Sequence, residues 1–306
     1  MTDDLKSTGA IANVFSALNE DIDTKITLAV DEKTAALQKM ISKGTSLTVK
    51  VRNKITKLEG ARHKQFEQLL IIAAQKLPTL VVGPAGTGKT HAAAQVAEAL
   101  ERDFYTMSVG AQTSKADIIG YMSANGTYVG THFREAYENG GVFLMDEIDA
   151  GNANVIIQVN AALSNGLCSF PDKMVKRHED FIFLASANTF GDGASRQYVG
   201  RNQLDAATLD RFVFLEWKID EDLEEVMAGG TSDGKKWLQV VRGLREWAAK
   251  NAERTIVSPR ATERGVALLG AGMPYTKVID HAVLGAFPAD KRKEAMSQAR
   301  NAWNRS

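Results

Sequence analysis

Residues 79–90 read Thr-Leu-Val-Val-Gly-Pro-Ala-Gly-Thr-Gly-Lys-Thr: a short apolar run, Thr79 to Val82, that passes directly into the pattern G-x-x-x-x-G-K-[ST] from Gly83 to Thr90. The run is too short and too apolar for anything but a buried strand, and the stretch His91 to Arg102 beyond it reads as a helix. A glycine-rich turn between a strand and a helix is built to hold phosphate. Gly83, Pro84, Ala85, Gly86, Thr87 and Gly88 can turn their backbone toward an anion, and the helix start adds a favourable dipole. Lys89 then reaches the β and γ phosphates, and Thr90 offers a hydroxyl to Mg²⁺.

Further apolar runs follow at Phe104 to Val109, Val142 to Met145, Phe181 to Ala185 and Phe212 to Leu215, with helical segments between most of them. That alternation predicts a parallel sheet covered by helices on both faces, over residues 61–218. Two runs end in groups that suit a phosphate site. Gly141 to Met145 leads into Asp146 and Glu147, where Asp146 would hold the metal and Glu147 would polarise an attacking water. Phe181 to Ala187 leads into Asn188, whose amide could orient that water from the opposite side. Asp149 reads as a helix cap. Beyond about Asp220 the strand signals stop, and Leu223 to Ala228, Lys235 to Lys250, Pro259 to Leu269 and Asp290 to Trp303 predict an all-helical unit over 219–306. Trp237 and Trp247 are spaced for its core.

The chain is 306 residues long, 44% apolar and 24% charged, which places it in the globular range with about two domains. With 37 basic and 37 acidic residues it carries no net charge, so whole-molecule attraction to nucleic acid or membrane is not expected. A single cysteine, Cys168, excludes an internal disulfide and a cysteine zinc site, and reads as a small apolar residue. The five histidines lack metal-ligand spacing and are assigned no chemistry. The opening MTDDLKSTGA lacks signal-peptide character, and no long apolar window follows. A cytoplasmic protein that does not cross a membrane is expected. Residues 1–60 stand apart as an amino-terminal helical extension. Asn19 to Ile41 predicts an amphipathic helix, and Ser46 to Arg52 a half-exposed strand or an irregular linker. From Lys39 to Lys64 eight basic residues face the single acid Glu59, a net +7. This stretch reads as a solvated face or subunit contact, with an anionic partner such as nucleic acid as the alternative.

Taken together, these strand ends resemble those of an AAA+ ATPase, with GPAGTGKT as Walker A, VFLMDE as Walker B and FLASAN as the sensor-1 strand. More narrowly the sequence resembles the branch that holds MoxR-type ATPases, the ATPase subunit of cobalt chelatase and related dynein-like modules. Three stretches carry the narrower likeness. Ala116 to Tyr121, the Asn125-Gly126 turn and Gly130 to Ala136 resemble that branch's second helix, interrupted by a β-hairpin. Leu163 to Gly166 followed by Cys168 to His178 resembles its hairpin before sensor 1. Ala187 to Gly193 with Leu209 to Phe212 is most similar to the cobalt-chelatase type. The resemblance covers roughly residues 60–270, and residues 1–60 have no counterpart in it.

The resemblance implies ATP and Mg²⁺ as ligands, hydrolysis of ATP, and a homo-oligomeric ring, a hexamer in related proteins, that remodels a protein partner. A partner with an integrin-type metal-binding domain is one candidate. It also implies that Arg211 is the arginine finger acting on a neighbour's nucleotide, with Arg201 or Arg196 as alternatives and an ion pair to Asp210 or Asp205 as the structural reading. Ser258-Pro259-Arg260 resembles sensor 2, with Arg260 touching nucleotide in its own subunit or else facing solvent. Two other functions compete: a DNA-handling motor of restriction or phage-replication type, and a nucleotide-gated assembly scaffold. Glu147 and Asn188 argue against the scaffold, since a protein that merely binds ATP does not need them.

Overall fold

The computed structural model describes residues 46–51, 54–251 and 253–305. Along these residues the chain opens with an antiparallel hairpin, β1 (Ser46–Val51) on β2 (Lys54–Glu59), in which Ser46 faces Glu59 and Val51 faces Lys54. The strand expected from residue 46 is therefore present, and it has a partner within a segment expected to be helical. The helix expected over 19–41 lies outside the described residues.

From there the order is α1 (Phe66–Ala74), β3 (Thr79–Val82), α2 (Lys89–Ala99), β4 (Phe104–Ser108), α3 (Lys115–Ile119), β5 (Tyr121–Met122), β6 (Tyr128–Val129), α4 (His132–Asn139) and β7 (Gly141–Asp146). Next come α5 (Ala153–Asn165), β8 (Leu167–Ser169), β9 (Met174–Lys176), β10 (Phe181–Ala187), α6 (Ala206–Leu209) and β11 (Val213–Glu216). Five of these strands make one sheet in the order β11, β3, β10, β7, β4, every neighbour parallel. The two remaining strand pairs are small hairpins, β5 with β6 across the Asn125-Gly126 turn and β8 with β9.

Alternation within the strands sorts the side chains onto two faces. Phe143, Phe181 and Phe183 point to one side, where Phe133 and Tyr137 of α4 and Ile156 and Val159 of α5 complete an aromatic-rich core. Val142, Leu144, Ile182 and Leu184 point to the other and meet Leu69 of α1 and Ala92, Ala93, Val96 and Ala97 of α2. The small alanines let α2 lie close on the sheet, which fixes where the loop before it sits. Because all five strands run in one direction, Val82, Asp146 and Ala187 finish at the same edge, and the chemistry-bearing residues that follow them are gathered there.

The rest of the chain is helical: α7 (Glu221–Ala228), α8 (Ser232–Lys250), α9 (Pro259–Gly270), α10 (Tyr275–Ala282) and α11 (Arg292–Arg305). The sequence pattern predicts four of these but not α10. Trp237 and Trp247 pack inside this bundle with Val240, Leu244, Val278 and Phe287. One carboxylate ties three of the helices. Glu224 of α7 is fully buried, accepts from the two terminal guanidinium nitrogens of Arg245 of α8 at 2.5 and 3.0 Å, and accepts from Thr262 of α9 at 2.8 Å. Burial alone would raise its pKa, but these donors outweigh it and hold the carboxyl below its ordinary range. These three helices are thereby tied together beside the cleft described next.

Candidate active site

A cleft of about 590 Å³ separates the sheet edge from the helical unit, and its walls include Gly86 to His91, Asp146, Glu147, Asn188 and Arg260. The residues singled out from three strand ends and one distant helix are therefore brought together.

The loop after β3 is shaped by close approaches. A Cβ on Gly83 would lie 1.9 Å from the backbone oxygen of Trp217, and one on Gly86 would lie 2.4 Å from Ser258 Oγ and 3.3 Å from Arg260 Cδ. Only glycine fits at either place. Trp217 is fully buried, donates from Nε1 to Thr87 O at 3.0 Å, and stacks on His63 with ring centroids 3.9 Å apart. His63 in turn contacts Lys218 O at 2.7 Å, and burial lowers its pKa. His63 also lines the cleft, a placement that its sequence neighbourhood did not signal.

Lys89 opens α2 and is nearly buried. Its ammonium donates to Gly83 O at 2.7 Å, Pro84 O at 2.9 Å and Asn188 Oδ1 at 3.0 Å. Burial pushes its pKa down to about 8, against the opposing pull of Asp146, Asp149 and Glu147. Its three hydrogen-bond partners are neutral, so an anion arriving in the loop would find an under-compensated cation. Thr90, the next residue, donates from Oγ1 to Asp146 Oδ2 at 2.6 Å. A hydroxyl and a carboxylate converging at the mouth of a phosphate loop are the hard oxygen donors that Mg²⁺ takes together with phosphate oxygens and water. Among the described residues no cluster of three or more His, Cys, Asp or Glu makes an all-protein metal site. The residues present thus fit nucleotide with Mg²⁺ shared between protein and phosphate.

Asp146 is held by its neighbours. Its Oδ1 accepts from the Glu147 N–H at 3.0 Å and from the Ser186 hydroxyl of β10. Glu147 has a left-handed backbone, φ 57° and ψ 40°, at the start of a 3₁₀ turn (Ile148–Ala150). Such a conformation is uncommon for a non-glycine residue and marks a side chain aimed by its surroundings. Asp149 is not a helix cap. It is fully buried, and its Oδ2 accepts the N–H groups of Asn188 at 3.1 Å and Thr189 at 3.0 Å, with the Thr189 hydroxyl at 3.0 Å. The turn that carries Asn188 is therefore built on Asp149.

The arginines separate by place. Arg260 stands at the start of α9 against the loop glycine Gly86, in the cleft. Arg201 lies beside Glu147 and Asp149, at 3.3 and 3.4 Å. Arg211 is elsewhere. Two residues before β11, it donates to Ser164 Oγ at 2.9 Å and to Ala207 O, rather than to Asp210 or Asp205. Since Val213 pairs with Thr79, Arg211 sits beyond the end of the sheet opposite Gly83, and the strand from Thr79 to Gly83 alone spans about 13 Å.

Residues 78–212 match the family profile described as the AAA domain of the dynein-related subfamily. This chain carries an AAA domain. Among curated proteins, the protein NorQ of Paracoccus denitrificans is 27% identical over 230 residues, which is 71% of this chain and 83% of that protein. The Lon protease of Leptospira interrogans is 31% identical over 170 residues, 48% of this chain but 19% of the protease. The chain thus spans about a fifth of the length of that Lon protease. A mutant RuvB of Thermotoga maritima aligns with a TM-score of 0.47 at 15% identity, over 77% of this chain and 69% of that one. The matched residues supply four of the five sheet strands and the cleft wall made by the phosphate loop, Asp146, Glu147 and Asn188, while β11, His63 and Arg260 lie outside them. Among the described residues no helix is long and apolar enough to cross a membrane.

Proposed function

We propose that the AAA domain binds ATP with Mg²⁺ and hydrolyses it, as a subunit of a homo-oligomeric ring that remodels a protein partner. The observation that carries this reading is the convergence of Lys89, Thr90, Asp146, Glu147, Asn188 and Arg260 on one cleft, whose cation is left facing neutral partners. In this reading Gly83 to Gly88 cradle the phosphates, Lys89 neutralises the β and γ phosphates, and Arg260 closes over the nucleotide from the helical unit. Thr90 and Asp146 would hold Mg²⁺, which neutralises charge on the phosphate oxygens when bound. Glu147 accepts the proton of a water attacking in line, and Asn188 orients that water.

The ring rests on the resemblance and is supported by the position of Arg211. Its distance from its own loop leaves it useful at a neighbour's γ-phosphate, where such an arginine is worth about 10³–10⁵ in rate. A hexamer is the resemblance's expectation. The protein partner, and a candidate with an integrin-type metal-binding domain, rest on the MoxR-like resemblance. The domain division proposed with it is 1–60, 61–218 and 219–306. One observation favours a second reading: the net +7 of residues 39–64 would suit DNA. A steep loss of DNA affinity with rising salt would support that motor instead.

The test is Glu147→Gln. Binding of ATP, measured by calorimetry, should persist, and turnover should fall by about 10²-fold or more, because the carboxylate assigned to accept the proton is gone and Asp146 is committed to the metal. Normal turnover would remove Glu147 from the mechanism.

A further inference from the structure

One arginine joins the two groups that flank the expected site of attack. Arg201 places Nη2 3.3 Å from Glu147 Oε1 and Nη1 3.4 Å from Asp149 Oδ1. Asp149 is fully buried, and its Oδ1 accepts no hydrogen bond within the described structure, so the guanidinium is its compensating charge. The other oxygen of the same carboxylate holds the N–H groups of Asn188 and Thr189. Asn188 then reaches Lys89 through its side chain at 3.0 Å. A continuous set of polar contacts runs from Glu147 through Arg201 and Asp149 to Asn188.

The backbone that presents Arg201 is itself fixed. The Asn202 N–H donates to Asp149 O at 2.7 Å, and Asn202 Nδ2 donates to Gly151 O at 2.9 Å. Three residues before Arg201, the Tyr198 hydroxyl accepts the Ala85 N–H of the phosphate loop at 3.0 Å. The segment after β10 is thus fastened to the ends of both β3 and β7. Arg201 is largely shielded, with its side chain 13% exposed, so it is held in its own subunit and not offered to a neighbour.

We propose that Arg201 and Asp149 are positioning residues, acting within one subunit, that fix the separation and orientation of Glu147 and Asn188. This rests on the hydrolytic reading of the site. Arg201 satisfies the buried Asp149 oxygen, which keeps the Asn188 turn in place. The second nitrogen of the same planar group holds Glu147 at a set distance from that turn. A planar fork with two nitrogens facing two carboxylates transmits position in a way that a single ammonium does not. Loss of Arg201 leaves a buried carboxylate oxygen uncompensated and frees both flanking groups.

The experiment uses the full chain. In the nucleotide-free protein, hydrogen exchange of the Asn188 and Thr189 amides should quicken in Arg201→Ala and in Asp149→Asn, while the amides inside β10 keep their protection. With ATP and Mg²⁺, kcat of Arg201→Ala should fall by about 10- to 100-fold, the cost expected for a misplaced catalytic pair, with KM and ADP affinity within about twofold of the parent. Arg201→Lys should recover part of both readouts. Mixing Arg201→Ala with Glu147→Gln subunits should restore no activity, since neither kind of subunit then has a complete pair. Unchanged amide exchange in Arg201→Ala, or unchanged kcat beside an active parent, overturns the proposal. Restored activity in the mixture also overturns it and makes Arg201 a residue that acts across the interface. Should Arg201→Ala fail to fold, Arg201→Gln carries the same measurements. An inactive parent protein, or normal turnover by Glu147→Gln, would instead refute the hydrolytic reading, and the exchange result would still stand on its own.

Discussion

The Lys89 ammonium donates to Asn188 Oδ1 at 3.0 Å, which couples the residue that opens α2 to the one that follows β10. Their sheet neighbours explain the contact: β3 and β10 are adjacent and parallel, so the groups just past their ends meet at one edge. Burial leaves this lysine with a pKa of about 8 instead of its ordinary 10.5.

That shift gives a pH signature. Between pH 8 and 10.5 the unfolded chain holds a proton that the native chain has released, so the nucleotide-free fold gains stability as pH rises through this window. Binding of a phosphate favours the charged ammonium and has the opposite sign. Nucleotide binding at about pH 8.5, just above that pKa, should take up a proton, read by calorimetry in two buffers of different ionisation enthalpy, and affinity should decline above about pH 8. Lys89→Ala should remove the proton uptake and weaken binding on the order of 100-fold, through loss of charge-assisted hydrogen bonds to phosphate. Unchanged ATP affinity in that variant would refute the phosphate-loop assignment.

Gly83→Ala tests the fit between the phosphate loop and the linker to the helical unit. The added methyl would meet the Trp217 backbone oxygen at 1.9 Å, and the backbone of Trp217 is itself tied to Val82 O through its N–H, so it cannot swing aside. Overpacking of this kind costs about 1–3 kcal/mol. Thermal unfolding should move down by roughly 2–4 °C per kcal/mol for a chain of this size. A melting temperature equal to the parent's would mean that the loop and linker separate easily.

Arg211→Ala should keep ATP binding and lose hydrolysis, because the side chain lies at the sheet end opposite its own loop. Mixing it with Glu147→Gln should restore part of the activity. A Glu147→Gln subunit then lends Arg211 to a neighbour that retains Glu147. If mixing is confirmed and activity stays at the level of either variant alone, Arg211 does not act in trans.

Removal of residues 1–60 should leave a folded protein that binds nucleotide. The sheet begins at Thr79, and the parts of the linker that touch the cleft or its walls, from Ala61 to Gln65, remain. Circular dichroism and nucleotide titration decide the matter. Loss of either fold or binding would show that the segment belongs to the core.

Local pattern determined much of this protein. The phosphate loop, the acids after β7 and the amide after β10 were legible because each follows a short, wholly apolar strand, and a parallel sheet sends such strand ends to one edge for simple reasons of direction. Helix spacing likewise marks the helical unit and two of its three tryptophans, Trp237 and Trp247. Contacts between residues far apart in the chain were decided only by tertiary structure. Asp149 reads as a cap because Asp is a favoured capping residue; its burial under the Asn188 turn, 39 residues away in the chain, depends on how β7 and β10 pair. Arg201 is one of two arginines, with Arg196, in a loop whose path the sequence leaves open, and only its anchoring by Asn202 and Asp149 shows which carboxylates it faces. His63 and Trp217 stack across a long stretch of chain because the linker before α1 runs beside the end of β11, a neighbourhood that no local spacing records. Strand direction is written in short-range hydrophobicity, whereas partnership across the sheet edge is settled by packing of the whole chain.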